Sequence, residues 1–208
     1  MVEIYLCRHG QNEDNAAGIL NGHRDLPLTE IGRQQARELG ILSKQNSLSF
    51  DHIYTSPLVR ARETAEIIAA MTGSPKPSVI PELIERELGE LSGRPYSDIL
   101  KVSKSVIQTD NVNYFLDIGE SFPDTLERAK KVLERIESDH KSGKILLVTH
   151  GDIGKMIYSA FHKTSWQDAL RNFHFGNSEL LLLKEGAHHA PHVFSIDQRG
   201  LKEKADPI

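Results

Sequence analysis

The sequence contains little cysteine, little excess charge and no long apolar run. It has one cysteine among 208 residues, so no internal disulfide can form, and this favours a reducing compartment such as the cytoplasm. The net charge of −4 argues against broad binding to nucleic acids or anionic membranes. No stretch approaches the roughly 20 apolar residues of a membrane span, and the N-terminus has no secretory signal pattern. We expect a cytoplasmic protein without nucleic-acid or membrane partners; the oligomeric state stays open.

The cysteine and a histidine-rich stretch do not fit the patterns of reactive or metal-binding sites. A cysteine phosphatase needs a thiolate followed by a phosphate-binding loop with an arginine six positions on, but Glu13 stands six positions after Cys7. We therefore interpret Cys7 as a buried strand residue that behaves as a small hydrophobe. The spacing of His188, His189 and His192 matches no strong metal-ligand pattern, so we expect a surface loop there and no metal site.

Short apolar segments alternate with amphipathic ones along the chain, which predicts an α/β fold. Strands are predicted at 2–7, 51–56, 144–149, 179–184 and 192–197, with a short extended piece at 78–83. Helices are predicted at 28–44, 56–71, 121–138 and 152–163. The order indicates a three-layer α/β/α sandwich with a mostly parallel sheet and an antiparallel C-terminal edge, in a single domain over residues 1–208.

Helix boundaries and two irregular regions follow from local signals. Thr29 is a plausible N-cap of the first predicted helix, and Ser56 with Pro57 at the next position is the expected start of the second. Residues 11–27 read as a loop that is long for a compact domain, which is typical of functional loops. Residues 95–119 indicate no more than one helix and a loop.

Two strands end in the same dipeptide, a histidine followed by a glycine. If the strands IYLCRHG and ILLVTHG are neighbours, His9 and His150 meet in the crevice beyond the carboxyl ends of the sheet. Gly10 is expected to let the backbone turn sharply and approach a ligand. Arg60 shares the inward half of its helix with Thr64 and therefore needs an anionic partner.

Five motifs in chain order carry a family resemblance. They are RHG, SPLVRARET, LIERELGELSG, GESFPDTLERA and VTHG. Together they resemble the histidine phosphatase superfamily, with its phosphoglycerate mutase-like fold, over about residues 3–185, and the phosphatase members in particular. RHG alone is a weak signal, whereas the ordered set with compatible secondary structure is specific.

The resemblance implies a role for several individual positions. His9 matches the histidine that becomes phosphorylated, and Glu85 matches the proton donor, although the residues alone do not separate Glu85 from its neighbours. The catalytic and substrate-binding positions that it implies are Arg8, His9, Asn15, Asn21, Gly22, Arg60, Glu85, His150 and Gly151. Asn12 departs from the family pattern, because relatives often carry Thr or Ser there, and this puts a hydroxyl contact from that position in doubt.

The implied chemistry agrees with the residue types. A phosphate monoester carries about two negative charges near neutral pH, which two arginines and a second histidine can neutralise without a metal or cofactor. Neutral His9 would attack phosphorus in line, protonated Glu85 would supply the proton to the leaving oxygen, and water would hydrolyse the phosphohistidine. The resemblance thus implies a phosphomonoesterase for small phosphorylated metabolites of the sugar phosphate, bisphosphate or phosphoglycerate type; phosphoproteins stay open as substrates.

Two other functions stay open. A phosphoglycerate mutase returns the phosphoryl group to a second hydroxyl, but the segment 91–119 is short and lacks the adjacent basic pair of the longer glycolytic mutases. A catalytically silent phosphoester-binding module is disfavoured because all the core positions are present.

Substrate specificity is expected to reside in a lid region. Residues 86–122, with the loop around His23, are predicted to roof the pocket. Candidates for contact with the rest of the substrate are Arg24, Arg86, Arg94, Lys101, Lys104, Tyr96, Tyr114, Phe115 and Phe122.

Overall fold

The computed structural model describes residues 2–109 and 113–184, and the backbone alone of residues 192–194. The elements of the described chain are β1 (Val2–Arg8), α1 (Glu13–Ala17), α2 (Glu30–Gln45), β2 (His52–Thr55), α3 (Val59–Thr72), β3 (Ser78–Val79), α4 (Ile99–Val102), β4 (Val106–Gln108), β5 (Asn113–Phe115), α5 (Phe122–Asp139), β6 (Gly143–Thr149), α6 (Gly151–His162), α7 (Trp166–Asn172), β7 (Leu180–Leu183) and β8 (His192–Phe194). Short 3₁₀ turns occur at Pro81–Leu83, Gly89–Leu91 and Tyr96–Asp98.

Six strands form the central sheet, in the order β3-β2-β6-β1-β7-β8. The pairs β1–β6, β2–β6 and β2–β3 are parallel, whereas β7 pairs antiparallel with both β1 and β8. The predicted α/β fold with an antiparallel C-terminal edge is therefore confirmed. None of the helices in the described ranges is long and apolar enough to cross a membrane.

Helices cover both faces of the sheet. Ile4 and Leu6 of β1 pack with the buried residues of α5 and α6, whereas Tyr5 and Cys7 pack with those of α2 and α3. This division follows from the alternation of side chains along a strand. The fold therefore has three layers, as predicted. Cys7 is a buried strand residue, and burial raises the pKa of its thiol.

The start of α3 differs from the prediction. The helix begins at Val59, and its N-cap residue, Leu58, makes no side-chain capping bond. Ser56 lies two residues before this N-cap, and its hydroxyl both accepts from the amide of Leu58 at 3.3 Å and contacts His150 Nε2 at 2.7 Å. The N-cap of α2 is Thr29 as predicted, with its side chain accepting from the amide of Gly32.

Two regions contain more regular structure than predicted. The loop expected at 11–27 includes α1, which Asn12 and Asn15 close in a reciprocal capping box. The segment expected to hold one helix and a loop contains α4 and a separate antiparallel hairpin of β4 and β5. Helix α7, which Ser165 caps, was not predicted at all.

Gly10 is required by helix packing and not by a turn. A Cβ atom at Gly10 would overlap the backbone carbonyl of Gly32, and one at Gly32 would overlap the backbone of Gln11. Gly10 does not have a positive φ, so the expectation that it serves a sharp turn is wrong. The two glycines let α2 lie directly against the chain that leaves β1.

Candidate active site

His9 and His150 lie side by side because their strands pair in register. Arg8 of β1 is opposite Thr149 of β6, and each histidine is the next residue along its chain. The amide of His9 donates to the carbonyl of Thr149 at 2.9 Å, and the two imidazole centroids are 5.0 Å apart. Both side chains are buried.

His9 is held as a neutral imidazole with a defined tautomer. Its Nδ1 lies 2.6 Å from the carbonyl oxygen of Gly10, so Nδ1 carries the proton and donates it there. Its Nε2 accepts from the Nε–H of Arg60 at 3.2 Å. Burial, Arg60 and Arg8 hold the pKa of His9 well below its usual value. The unprotonated Nε2 is thus the atom with a lone pair for bonding.

His150 is neutral for the same physical reasons. Burial and the charge of Arg60 hold its pKa well below the ordinary value. Its Nε2 lies 2.7 Å from Ser56 Oγ, and its Nδ1 is buried with no hydrogen-bond partner in the described part of the chain. Sequence reasoning missed Ser56, because a serine before proline at the end of a strand looks like a helix cap.

Arg60 is fixed by backbone carbonyls of the loop after α1. Nη1 donates to Arg24 O at 2.6 Å and Nη2 donates to Gly22 O at 2.9 Å. The side chain is fully buried, and burial lowers its pKa to about 10. No ion pair of the described residues includes Arg60, so the positive charge predicted to need an anion is still available to one.

Arg8 depends on the loop between α7 and β7, which sequence reasoning did not single out. Its Nη1 donates to Phe175 O at 2.9 Å, while its buried Nε has no partner within the described ranges. In the same loop, Asn177 Nδ2 donates to His9 O at 2.9 Å and to Asn15 Oδ1 at 3.3 Å. No periodic pattern marks Asn177, and only the tertiary structure reveals these contacts.

Asn15 and Asn21 converge on α1 through side-chain amides. Asn12 Nδ2 donates to Asn21 Oδ1 at 2.5 Å. The backbone N–H of Asn12 donates to Asn15 Oδ1 at 3.4 Å. Asn12 is completely buried and serves as the N-cap of α1. The departure from the family pattern at residue 12 is thus accommodated by a capping amide that also orients Asn21.

Glu85 lies partly buried at the N-terminus of α6. Its Oε1 accepts from the amides of Arg86 at 2.9 Å and Ile153 at 3.1 Å, and Oε2 accepts from the amide of Asp152 at 3.3 Å. Burial first, and then the nearby Asp152 carboxylate, raise the pKa of Glu85. The hydrogen bonds from the amides of Arg86 and Ile153, and the charge of Arg60, act on this pKa in the opposite direction.

Gly151 leaves space between Glu85 and Arg8. A Cβ atom there would lie 3.6 Å from Glu85 Oε2 and 3.7 Å from Arg8 Cζ. Gly22 has a φ of 51°, and a Cβ on it would lie 2.8 Å from Ser92 Oγ. Gly151 therefore leaves the space between Glu85 and Arg8 without a side chain, and Gly22 leaves room for Leu88 and Ser92.

A single cavity of about 410 Å³ brings the predicted positions together. Every predicted site residue except His150 lines it, and His150 lies directly behind the His9 ring. Tyr96, Tyr114, Phe115 and Lys155 form further walls, and Lys155 was not predicted.

The described residues contain no cluster of three or more His, Cys, Asp or Glu side chains that could hold a metal ion. His188 and His189 lie outside the described residues, and His192 is described only by its backbone.

Most of the basic candidates for substrate contact are engaged elsewhere. Arg86 is almost completely buried, pairs with Asp152 at 2.7 Å and lies 4.3 Å from the ring centroids of Phe115 and Phe122. Three others pair with carboxylates: Arg24 with Asp14, Arg94 with Glu90 and Lys101 with Asp98.

Comparisons with known proteins support the fold described above. The family model of the histidine phosphatase superfamily (branch 1) matches residues 4–194. Phosphoglycerate mutase-like protein 4 of Arabidopsis thaliana is 37% identical over 161 residues, which cover 75% of this chain and 69% of that protein. A 2,3-bisphosphoglycerate-dependent phosphoglycerate mutase of Parvibaculum lavamentivorans is 32% identical over 207 residues, covering 95% and 91%. The crystal structure of a phosphoserine phosphatase from Entamoeba histolytica, in complex with 3-phosphoglyceric acid, superposes with a TM-score of 0.72 at 25% identity, covering 95% and 98%.

Proposed function

Since the chain belongs to the histidine phosphatase superfamily (branch 1), we propose that it is a phosphomonoesterase acting on a small phosphorylated metabolite through a phosphohistidine at His9. The observation that carries this proposal is the tautomer of His9. The Nδ1–H is committed to Gly10 O, which leaves Nε2 unprotonated beside Arg60 in the cavity. A neutral imidazole with this tautomer is the form that can attack phosphorus.

Arg8, Arg60 and His150 are the groups that would hold the transferring phosphoryl group. The two guanidinium groups have no carboxylate partner among the ion pairs of the described chain. Each is fixed by backbone carbonyls, so little reorganisation is needed when a doubly charged phosphate binds. The buried Nδ1 of His150 and the side chain of Asn15 would supply further hydrogen bonds.

The reaction then proceeds in two balanced displacements. His9 Nε2 forms a bond to phosphorus as the ester P–O bond breaks, and protonated Glu85 gives its proton to the leaving oxygen. Water next attacks phosphorus and returns a proton to Glu85, while the P–N bond breaks and inorganic phosphate leaves. The raised pKa of Glu85 is suited to both steps, because a group that must give and take a proton works best near the operating pH.

Hydrolysis is favoured over mutase transfer by the lining of the cavity. The described part of the segment 91–119 contributes Tyr96, Asn113, Tyr114 and Phe115 to the walls, and none of its basic side chains. A mutase of the bisphosphoglycerate-dependent kind must retain a second, highly charged phosphate. Mutase activity is the second candidate because of the likeness to a mutase over 95% of the chain.

We also propose that residues 86–122 act as the specificity region of a single domain. Their apolar cluster includes Leu88, Leu91, Ile99 and Phe115, and it packs against Leu20. Backbone bonds from the amide of Leu20 to Arg94 O and from the amide of Gly93 to Leu20 O join this region to the loop that anchors Arg60. A reducing cytoplasm is the proposed compartment, in keeping with one buried thiol.

Chemical trapping of the intermediate tests the proposal. The enzyme is mixed with a ³²P-labelled phosphomonoester, quenched in base, and digested. We expect an acid-labile, base-stable label on the peptide that contains His9, absent from His9→Ala and retained by His52→Ala, since His52 is exposed on β2. Equal labelling of wild type and His9→Ala, or no label with turnover, would overturn the phosphohistidine mechanism.

Product analysis separates hydrolysis from transfer. The wild type is supplied with 3-phosphoglycerate and 2,3-bisphosphoglycerate, and both inorganic phosphate and 2-phosphoglycerate are measured. We expect phosphate release to exceed isomer formation. Rapid formation of 2-phosphoglycerate with little free phosphate would identify a mutase instead.

A further inference from the structure

Lys155 is a buried cation in the wall of the cavity. It lies one turn after Gly151 on α6, about 6 Å further along the helix axis, and its side chain is only 7% exposed. Its Nζ donates to Phe173 O and lies 5.3 Å from the ring centroid of Phe173 and 5.9 Å from that of Tyr114. The ammonium group of Lys155 is thus in contact with one backbone carbonyl and close to two aromatic rings.

No carboxylate neutralises Lys155 directly. It belongs to no ion pair of the described residues, and Asp152, the acid on the same face of α6, is already paired with Arg86 at 2.7 Å. Asp152 and Glu179 support its charge only at longer range, and Arg8 opposes it. Burial is the largest influence and lowers the pKa of Lys155 to about 8. A buried ammonium group is costly unless an anion binds it.

Lys155 stands on the same wall as the groups proposed to bind phosphate. Gly151, Asp152 and Lys155 are successive cavity-lining positions of α6, and Gly151 is next to both Arg8 and Glu85. A phosphoryl group at His9 whose ester oxygen faces Glu85 would direct the rest of the substrate along this wall. Of the two charged residues that α6 contributes to this wall, Asp152 is paired with Arg86, whereas Lys155 belongs to no ion pair of the described residues.

We propose that Lys155 binds a second anionic group of the substrate and so selects phosphate monoesters that carry a carboxylate or second phosphate a few bonds from the ester oxygen. This inference rests on the proposed function, because it assumes that the phosphoryl group lies at His9. Asp152 cannot serve the same purpose, since its charge is negative and is held by Arg86.

Matched substrates test the role of Lys155. 3-Phosphoglycerate and glycerol 3-phosphate differ only by a carboxylate in place of a hydroxymethyl group, and 1,3-propanediol bisphosphate supplies a second phosphate instead. We expect Lys155→Met to lower kcat/KM about 10- to 100-fold for one or both probes that carry a second anionic group, and less than about 3-fold for glycerol 3-phosphate. The probe that responds identifies carboxylate or phosphate as the second group, and Lys155→Arg should restore part of the loss.

An equal change for all three substrates, or no change, overturns the inference, because a structural role of Lys155 would not distinguish them. The exposed Lys130→Met variant on α5, outside the specificity region, serves as the control for charge alone. If the wild type releases phosphate from none of the probes, the proposed function fails, and binding decides the inference separately. Calorimetry with His9→Asn and His9→Asn/Lys155→Met then compares the probes. Binding of a probe with a second anionic group at least about 10-fold tighter than glycerol 3-phosphate, with the difference lost in Lys155→Met, supports the inference; equal or undetectable binding overturns it.

Discussion

Replacing Glu85 with glutamine should separate proton donation from every other function of this side chain. In Glu85→Gln, the amide oxygen can still accept from the amides of Arg86 and Ile153, as Oε1 of Glu85 does at 2.9 and 3.1 Å. At the position of Oε2, an NH₂ group would face the amide of Asp152, which loses one long hydrogen bond of 3.3 Å. That loss costs about 1 kcal/mol, so the protein should still fold.

The expected kinetic effect depends on the leaving group. An alkyl phosphate such as glycerol 3-phosphate needs a proton on its departing oxygen, and loss of a general acid typically costs about 10²- to 10⁴-fold in kcat. For p-nitrophenyl phosphate the departing phenolate needs no proton, and we expect a loss of less than about 10-fold. Steady-state kinetics with both substrates, with Glu90→Gln as the exposed control from the same segment, measure the difference.

Two results would refute this reasoning. An equal loss for both substrates would mean that Glu85 positions the site instead of donating a proton. Retention of alkyl phosphatase activity within a few-fold would mean that another group protonates the leaving oxygen.

Since the pKa of Glu85 is raised on folding, its ionisation destabilises the folded state as the pH rises from about 4.5 through the folded-state pKa. Glu85→Gln should therefore lose less stability than the wild type as the pH rises above about 4.5.

Three further predictions follow from contacts described above. Ser56→Ala removes the hydroxyl at 2.7 Å from His150 and should lower kcat about 10-fold with KM nearly unchanged, as steady-state kinetics would measure; a wild-type kcat would show the contact to be dispensable. Gly32→Ala should lower the free energy of unfolding, measured by urea denaturation, by at least about 2 kcal/mol, because the added Cβ overlaps neighbouring backbone. The control Gly18→Ala, where the Cβ meets open space but φ is 65°, should lower it by about 1 kcal/mol. Similar values for the two would contradict the packing argument. His9 and His150 have lowered pKa values in the folded state, so the unfolded chain binds more protons below pH 6.5. Each histidine should therefore reduce the free energy of unfolding by about 1.4 kcal/mol per pH unit as the pH falls. Replacing His150 with glutamine should make this pH dependence weaker, as thermal unfolding at several pH values would measure.

The parts of the fold that sequence could predict are those with a local or periodic signal. The layers and the parallel sheet follow from apolar strands that alternate with amphipathic helices, and the repeated His-Gly ending was enough to bring His9 and His150 to one edge. The family motifs located Arg60 and Glu85, whose roles stay predictions. Residues 95–119 were misread because three-residue strands and a one-turn helix leave no period to detect.

The rest of the site depends on contacts between distant segments. Ser56 carries a helix-capping signal, and only the tertiary structure shows that its hydroxyl, which accepts from the amide of Leu58, also contacts His150. Asn177 lies 168 positions from His9 in a loop without pattern, so its bond to the His9 carbonyl could not be anticipated. Lys155 looks like an ordinary helix lysine, and burial alone distinguishes it.

The in-register pairing of β1 and β6 ties the two histidines to the most protected part of the molecule. Each imidazole is one residue beyond a ladder whose inner residues, Ile4 to Cys7 and Ile145 to Val148, are buried, and the amide of His9 extends that ladder to Thr149. Separating the imidazoles therefore requires the central strands to part, which is a global opening and not a local one. Amide hydrogen exchange at His9 should be as slow as in the sheet interior, so heat should abolish catalysis only when the fold itself melts.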